Sequence, residues 1–118
     1  MKEIQMKEIK AIILPYMLDR VMEALHSRPH FPGVTVSDCQ GQGRGRGPGG
    51  HYVARPADVF FTKRVKLEIF CSDAICDDLV NAIRQNGYTG NPGDGIIMVA
   101  DLPRVIRIRT GEQQQEAT

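Results

Sequence analysis

The residues best suited to chemistry lie between Tyr88 and Gly111. Gly90-Asn91-Pro92-Gly93-Asp94-Gly95 places three glycines and a proline in six positions, which excludes helix and central strand and predicts a turn with free backbone N–H groups. Farther on, Val105-Ile106-Arg107-Ile108-Arg109 alternates apolar and basic residues. As an extended strand it would put Arg107 and Arg109 on one face and Ile106 and Ile108 on the other. Two guanidiniums near unpaired backbone N–H groups suit a phosphate or a carboxylate. An Arg-x-Arg pair taken alone is more often two solvated charges on an edge strand.

Other chemistry finds less support. Cys39, Cys71 and Cys76 are an odd count at irregular spacing, neither a disulfide framework nor a CxxC motif, and are expected to be structural thiols. His26, His30 and His51 do not combine at tight ligand spacing, so no metal site is expected. No Ser-His-Asp set or carboxylate pair can be assembled, and the chain is expected not to be an enzyme. A formal GxGxxG at Gly45, Gly47 and Gly50 fails as a dinucleotide fingerprint, because Pro48 interrupts it and no helical pattern follows.

The elements that must position these groups are legible in order. A chain of 118 residues makes one domain, 1–118. Its formal charge of +1 gives no basic footprint for nucleic acid. No run approaches the ~18 apolar residues of a membrane span, so a cytoplasmic location is expected. The sequence MKEI occurs at Met1 and again at Met6, as an alternative upstream start would leave it. Lys7 to Leu14 reads as a strand with Ile9, Ala11 and Ile13 on one face, ended by Pro15. Leu18, Val21, Met22 and Leu25 form a helical stripe. Residues 27–33, with two prolines, form a loop, and Val34 to Gln40 a second strand.

Gly41 to Gly50 contains six glycines and reads as part of a long flexible loop, about 41–58. Val59 to Cys71 is a long third strand with Val65, Leu67 and Ile69 facing one way. Ser72 is placed to cap a second helix striped by Cys76, Leu79, Val80 and Ile83, with Gly87 as its stop. Ile96 to Ala100 is a buried strand, and the tail, about 113–118, is expected to fray. The order β-α-β-β-α-β plus a short extra strand is that of an α+β, ferredoxin-like sandwich. Its uncovered face would carry Ile12, Leu14, Ile96 and Met98 among Lys66 and Glu68, a mixed surface suited to a subunit interface.

Thr89-Gly90, Gly93-Asp94-Gly95 and Val105-Ile106-Arg107-Ile108-Arg109-Thr110-Gly111-Glu112, in order and at this spacing, closely resemble the C-terminal signature of the PII signal-transduction family. The resemblance runs from Met6 to Glu112 and makes the 41–58 segment that family's T-loop. It implies a homotrimer that binds adenine nucleotides (ATP, ADP or AMP) in clefts between subunits and acts on an unidentified protein target through the T-loop. Matching nucleotide-site positions are Thr35, Gly43, Arg44, Phe70, Gly93, Asp94, Gly95, Ile96, Arg107 and Arg109.

The departures point to a divergent branch. Ile96 stands where the family usually has a phosphate-binding lysine, which tilts the expected preference toward ADP or AMP over ATP. Gly45 replaces a glutamine that helps hold magnesium and 2-oxoglutarate, and Leu14 and Arg64 replace lysines. A smaller anion such as bicarbonate, held by Arg64 or by T-loop amides such as those around Gly45, suits what remains. Ala57 stands at the uridylylated tyrosine, and Tyr52 is out of register, so control by uridylylation is not expected. Branches with altered T-loops serve carbon uptake, carboxysome-related functions or metal transport. The competing readings are a metal-linked regulator of a transporter, a conventional ATP/2-oxoglutarate nitrogen sensor, and a nucleotidase on the same scaffold.

Overall fold

A computed structural model describes residues 4–42 and 61–118. Strand β1, Met6–Ile13, is followed by a 3-10 turn at Pro15–Met17 and helix α1, Leu18–His26. Strand β2 spans Thr35–Gly41 and β3 spans Thr62–Ser72; helix α2 covers Asp73–Gly87, and β4 covers Gly95–Leu102. The strands form one sheet in the order β2-β3-β1-β4, with every neighbouring pair antiparallel. This is the expected ferredoxin-like βαββαβ order, and each predicted strand before residue 102 lies within a few residues of its expected bounds; β4, however, is not the buried strand expected at Ile96 to Ala100 but an edge strand, with Ile96, Met98 and Val99 exposed.

The period-2 patterning of β1 and β3 makes the core. Ile9, Ala11, Ile13, Val65, Leu67, Ile69 and Cys71 are buried on one face of the sheet. Against them pack Val21 and Leu25 of α1 and Cys76, Leu79, Ala82 and Ile83 of α2. Each fully buried aliphatic side chain stabilises the fold by roughly 1.5–3 kcal/mol. Cys71 and Cys76 are the expected buried thiols. Burial above all, then the neighbouring Cys76, pushes the Cys71 thiol up to about 12, so it stays protonated and unreactive.

The helix ends differ in detail from the sequence expectation. Ser72 occupies the N-cap of α2 with extended backbone, but its hydroxyl makes no capping bond. The first N–H of the helix, that of Asp73, instead donates to Gln5 O at 2.8 Å, so the stretch before β1 satisfies the helix start. Gly87 is the last residue of α2 and is buried; the chain leaves the helix through extended Tyr88 rather than through a left-handed glycine.

The chain after β4 departs most from expectation. Val105 to Arg109 does not form a strand. A single bridge pairs Ile106 with Gln113, and the chain reverses between them. The N–H of Arg107 donates to Glu112 O and that of Gly111 to Arg107 O, both at 2.8 Å. Alternation implies a strand only where a partner runs alongside, and here Gly111, at φ +73°, turns the chain back first. The segment read as a frayed tail instead forms a 3-10 turn at Gln114–Ala117 that packs against β3, with Ala117 buried.

Candidate functional site

The glycine turn between α2 and β4 is organised by one carboxylate. Asp94 accepts hydrogen bonds from the Thr89 N–H (2.8 Å), the Gly90 N–H (3.1 Å) and the Thr89 hydroxyl. Thr89 Oγ1 in turn accepts from the Asn91 N–H at 3.1 Å. Burial by itself pushes the Asp94 carboxyl up. The hydrogen bonds from the Thr89 hydroxyl and the two backbone N–H groups outweigh it and hold the group below its ordinary value. Asp94 therefore builds the turn, with its carboxylate directed inward.

Two glycines in this turn are required by geometry. Gly95 has φ +114°, and a Cβ there would lie 1.8 Å from Ile12 O. The start of β4 thus presses directly on the backbone of β1. Gly93 has φ +94°, and a Cβ there would come within 3.2 Å of Arg64 Nη2. Among the described residues the Gly93 N–H donates to no group. The turn thus sets an exposed glycine, its N–H not engaged among the described residues, beside a guanidinium.

Register locates the remaining candidates, because residues opposite each other in a ladder share a face. Lys66 lies opposite Ile12, and Ile12 opposite Ile96; Glu68 lies opposite Lys10, and Lys10 opposite Met98. These residues line the face opposite the helices, as the sequence pattern implied, and Ile96 (57%) and Met98 (44%) are among the exposed large hydrophobics. Thr35 lies opposite Glu68 and is exposed. Phe70, opposite Glu8, is also exposed.

Arg107 and Arg109 are exposed on the hairpin after β4, with Ile108 between them fully in solvent. They do not share a strand face, because there is no strand. Nor does one protomer bring them to the glycine turn. Gly95 pairs with Ile13 at one end of β1, and Leu102 with Met6 at the other. Seven residues of strand at ~3.4 Å each put roughly 24 Å between the turn and the root of the arginine hairpin. Phe70 belongs to the hairpin's half of the sheet and Arg64 to the turn's. Gly43, Arg44 and Gly45, together with His51, Tyr52 and Ala57, lie outside the described residues.

Sequence reasoning missed two things. The first is the role of Thr89, for which the only signal was a hydroxyl residue five positions ahead of an aspartate across glycines. The second is the approach of Arg64 to Gly93. Strand parity and the stop of β1 before Pro15 contained that relation, but only once the strand order was known.

Among the described residues no three His, Cys, Asp or Glu side chains gather as a metal site. Nor is any helix there long and apolar enough to cross a membrane.

Comparison with known proteins agrees with this architecture. The family profile described as nitrogen regulatory protein P-II matches residues 6–112. The chain is 41% identical over 112 residues to the nitrogen regulatory protein P-II of Azospirillum brasilense, a match covering 95% of this chain and 99% of the relative. It is 45% identical, with the same coverage, to nitrogen regulatory protein P-II 1 of Escherichia coli K12. Among solved structures, Arabidopsis thaliana PII bound to citrate superposes with a TM-score of 0.79 at 32% identity, over 97% of this chain and 92% of that one. With the sheet order, the glycine turn and the basic hairpin all in place, the chain belongs to the PII family of nitrogen regulatory, signal-transduction proteins.

Proposed function

We propose that the chain works as a homotrimer that binds adenine nucleotides between subunits, ADP and AMP in preference to ATP, and signals to a protein target through residues 41–58. The observation that carries this reading is the separation within one protomer. The glycine turn with Arg64 and the hairpin with Arg107 and Arg109 sit at opposite ends of β4, so one polyanion can meet both only if a neighbouring copy supplies the second set. The exposed Ile96 and Met98 on the helix-free face give that neighbour an apolar surface to cover. Ile96 itself offers no cation where the family usually has one, which supports the preference for fewer phosphates. The citrate bound to the Arabidopsis protein supports an anion site on this fold. Bicarbonate as a second ligand, with Arg64 and the amides around Gly45 as its holders, is part of the same reading, and a role linked to inorganic carbon goes with it.

The test has two arms. Light scattering should give three times the 13.1 kDa chain. Calorimetry with ATP, ADP and AMP, each with and without bicarbonate or 2-oxoglutarate, should rank ADP and AMP above ATP. Charge-assisted contacts contributing ~1.5–3 kcal/mol each put the expected affinity near micromolar. A stable monomer would overturn the inter-subunit site. Tight magnesium-dependent binding of ATP with 2-oxoglutarate would favour the conventional nitrogen sensor, a reading that the names of the 41–45% identical relatives keep in view.

A further inference from the structure

We infer that Arg64 is the side chain that reads the last phosphate of a bound nucleoside diphosphate, from the same subunit as the glycine turn; this rests on the nucleotide reading above. The geometry follows from where β1 stops. The last β1–β3 pair is Ile13 with Val65, and Pro15 begins a 3-10 turn, so no β1 residue lies opposite Arg64. Arg64 has the parity of Lys66 and Glu68 and therefore belongs to the helix-free face. β3 and β4 both run antiparallel to β1, which puts Arg64 level with Asp94 across the gap that β1 leaves. The side chain crosses that gap. Its Nη1 donates to Lys63 O at 2.8 Å, and its Nη2 lies against the bare Cα of Gly93.

What gathers there is a receptor for oxygen anions. Gly93 presents an N–H that is not engaged among the described residues, and a guanidinium stands beside it. Asp94, the one acid of the turn, has its carboxylate occupied by Thr89 and Gly90. Ile96, next along the same face, contributes no charge. Arginine suits this position better than lysine would, because its planar fork meets two oxygens of one phosphate at once. With no cation at position 96, the guanidinium from β3 is the charge that stands against Gly93.

The experiment is calorimetry in bicarbonate-free buffer with ADP and AMP on the wild type, Arg64→Ala, Arg64→Lys and the double variant Arg64→Ala with Ile96→Lys. Arg64→Ala should weaken ADP about 10- to 100-fold and leave AMP within about twofold. Arg64→Lys should recover part of the loss, and Ile96→Lys in the Arg64→Ala background should restore ADP binding by supplying charge to the same phosphate. Thermal melts should be unchanged, since Arg64 lies outside the core cluster. If Arg64→Ala leaves the ADP-to-AMP ratio unaltered in a wild type that binds both, the role of Arg64 falls and the nucleotide site stands. Loss of ADP and AMP in equal measure also removes this role. A wild type that binds neither nucleotide sinks the parent reading, and this inference with it.

Discussion

Among the described glycines, Gly95 is where an added methyl should do the most damage. The Cβ would sit 1.8 Å from Ile12 O, and contacts below 3.0 Å are essentially never seen, so the strands must separate by roughly 1.2 Å at that point. Neighbouring strands lie ~4.8 Å apart, and such a displacement breaks the ladder hydrogen bonds it touches. Gly95 pairs with Ile13 and Ile96 with Ile12, so the damage falls where β4 begins. Lost ladder bonds cost about 1 kcal/mol each, overpacking about 1–3 kcal/mol, and a side chain at positive φ about 1–2 kcal/mol. The total, on the order of 3–6 kcal/mol, is a large fraction of the ~5–15 kcal/mol that holds a domain together. Gly111→Ala is the internal control. Gly111 also has positive φ, +73°, but nothing lies within 4 Å of its Cβ position, so it bears the torsional cost alone. Urea unfolding of both variants, compared at equal m-value, isolates the steric part. If Gly95→Ala costs no more than Gly111→Ala, the close approach of β4 to β1 is wrong, and the placement of the turn falls with it.

Other consequences can be checked separately. Met98→Asp places a charge on the helix-free face opposite Lys10, clear of the core; if that face is the subunit interface, light scattering should show a smaller species while circular dichroism stays that of the folded chain. Ile96→Lys alone should raise affinity for ATP more than for ADP, by about tenfold or more, measured by calorimetry. Asp94→Ala removes the acceptor for three donors and should weaken nucleotide binding more than Thr89→Ala, which removes one of them. Asp94 titrates below its ordinary value, so its contribution to stability is complete above the unfolded value near 3.8 and is lost as pH falls through the lower folded value. Unfolding followed from pH 7 down to 3 should therefore show less acid sensitivity in Asp94→Ala than in the wild type.

The difference between what the sequence revealed and what it hid is a difference in range. Strand and helix faces depend on periodicity within ten residues, and Ile9, Ala11, Ile13, Val65, Leu67 and Ile69 fall on the core side as their alternation requires. The glycine turn was equally legible, because Gly93 and Gly95 record a positive-φ backbone that other residues rarely adopt. The Arg107–Arg109 segment misled for the same reason that the others succeeded. Its alternation is as regular as that of β3, but β3 lies between two strands, whereas among the described residues Ile106 bridges Gln113 alone, across the reversal at Gly111. Whether a pattern becomes a strand is decided by the neighbour it meets, and that neighbour is not written locally. Arg64 makes the point in the opposite sense. Nothing near position 64 in the sequence marks it as part of the glycine turn, yet antiparallel pairing through β1 and the stop imposed by Pro15 bring it against Gly93, about thirty residues away. A site assembled from strand ends is therefore specified by register rather than by motif. Where half of it lies on another copy of the chain, as we propose from the roughly 24 Å of strand between turn and hairpin, the symmetry of the assembly completes that specification.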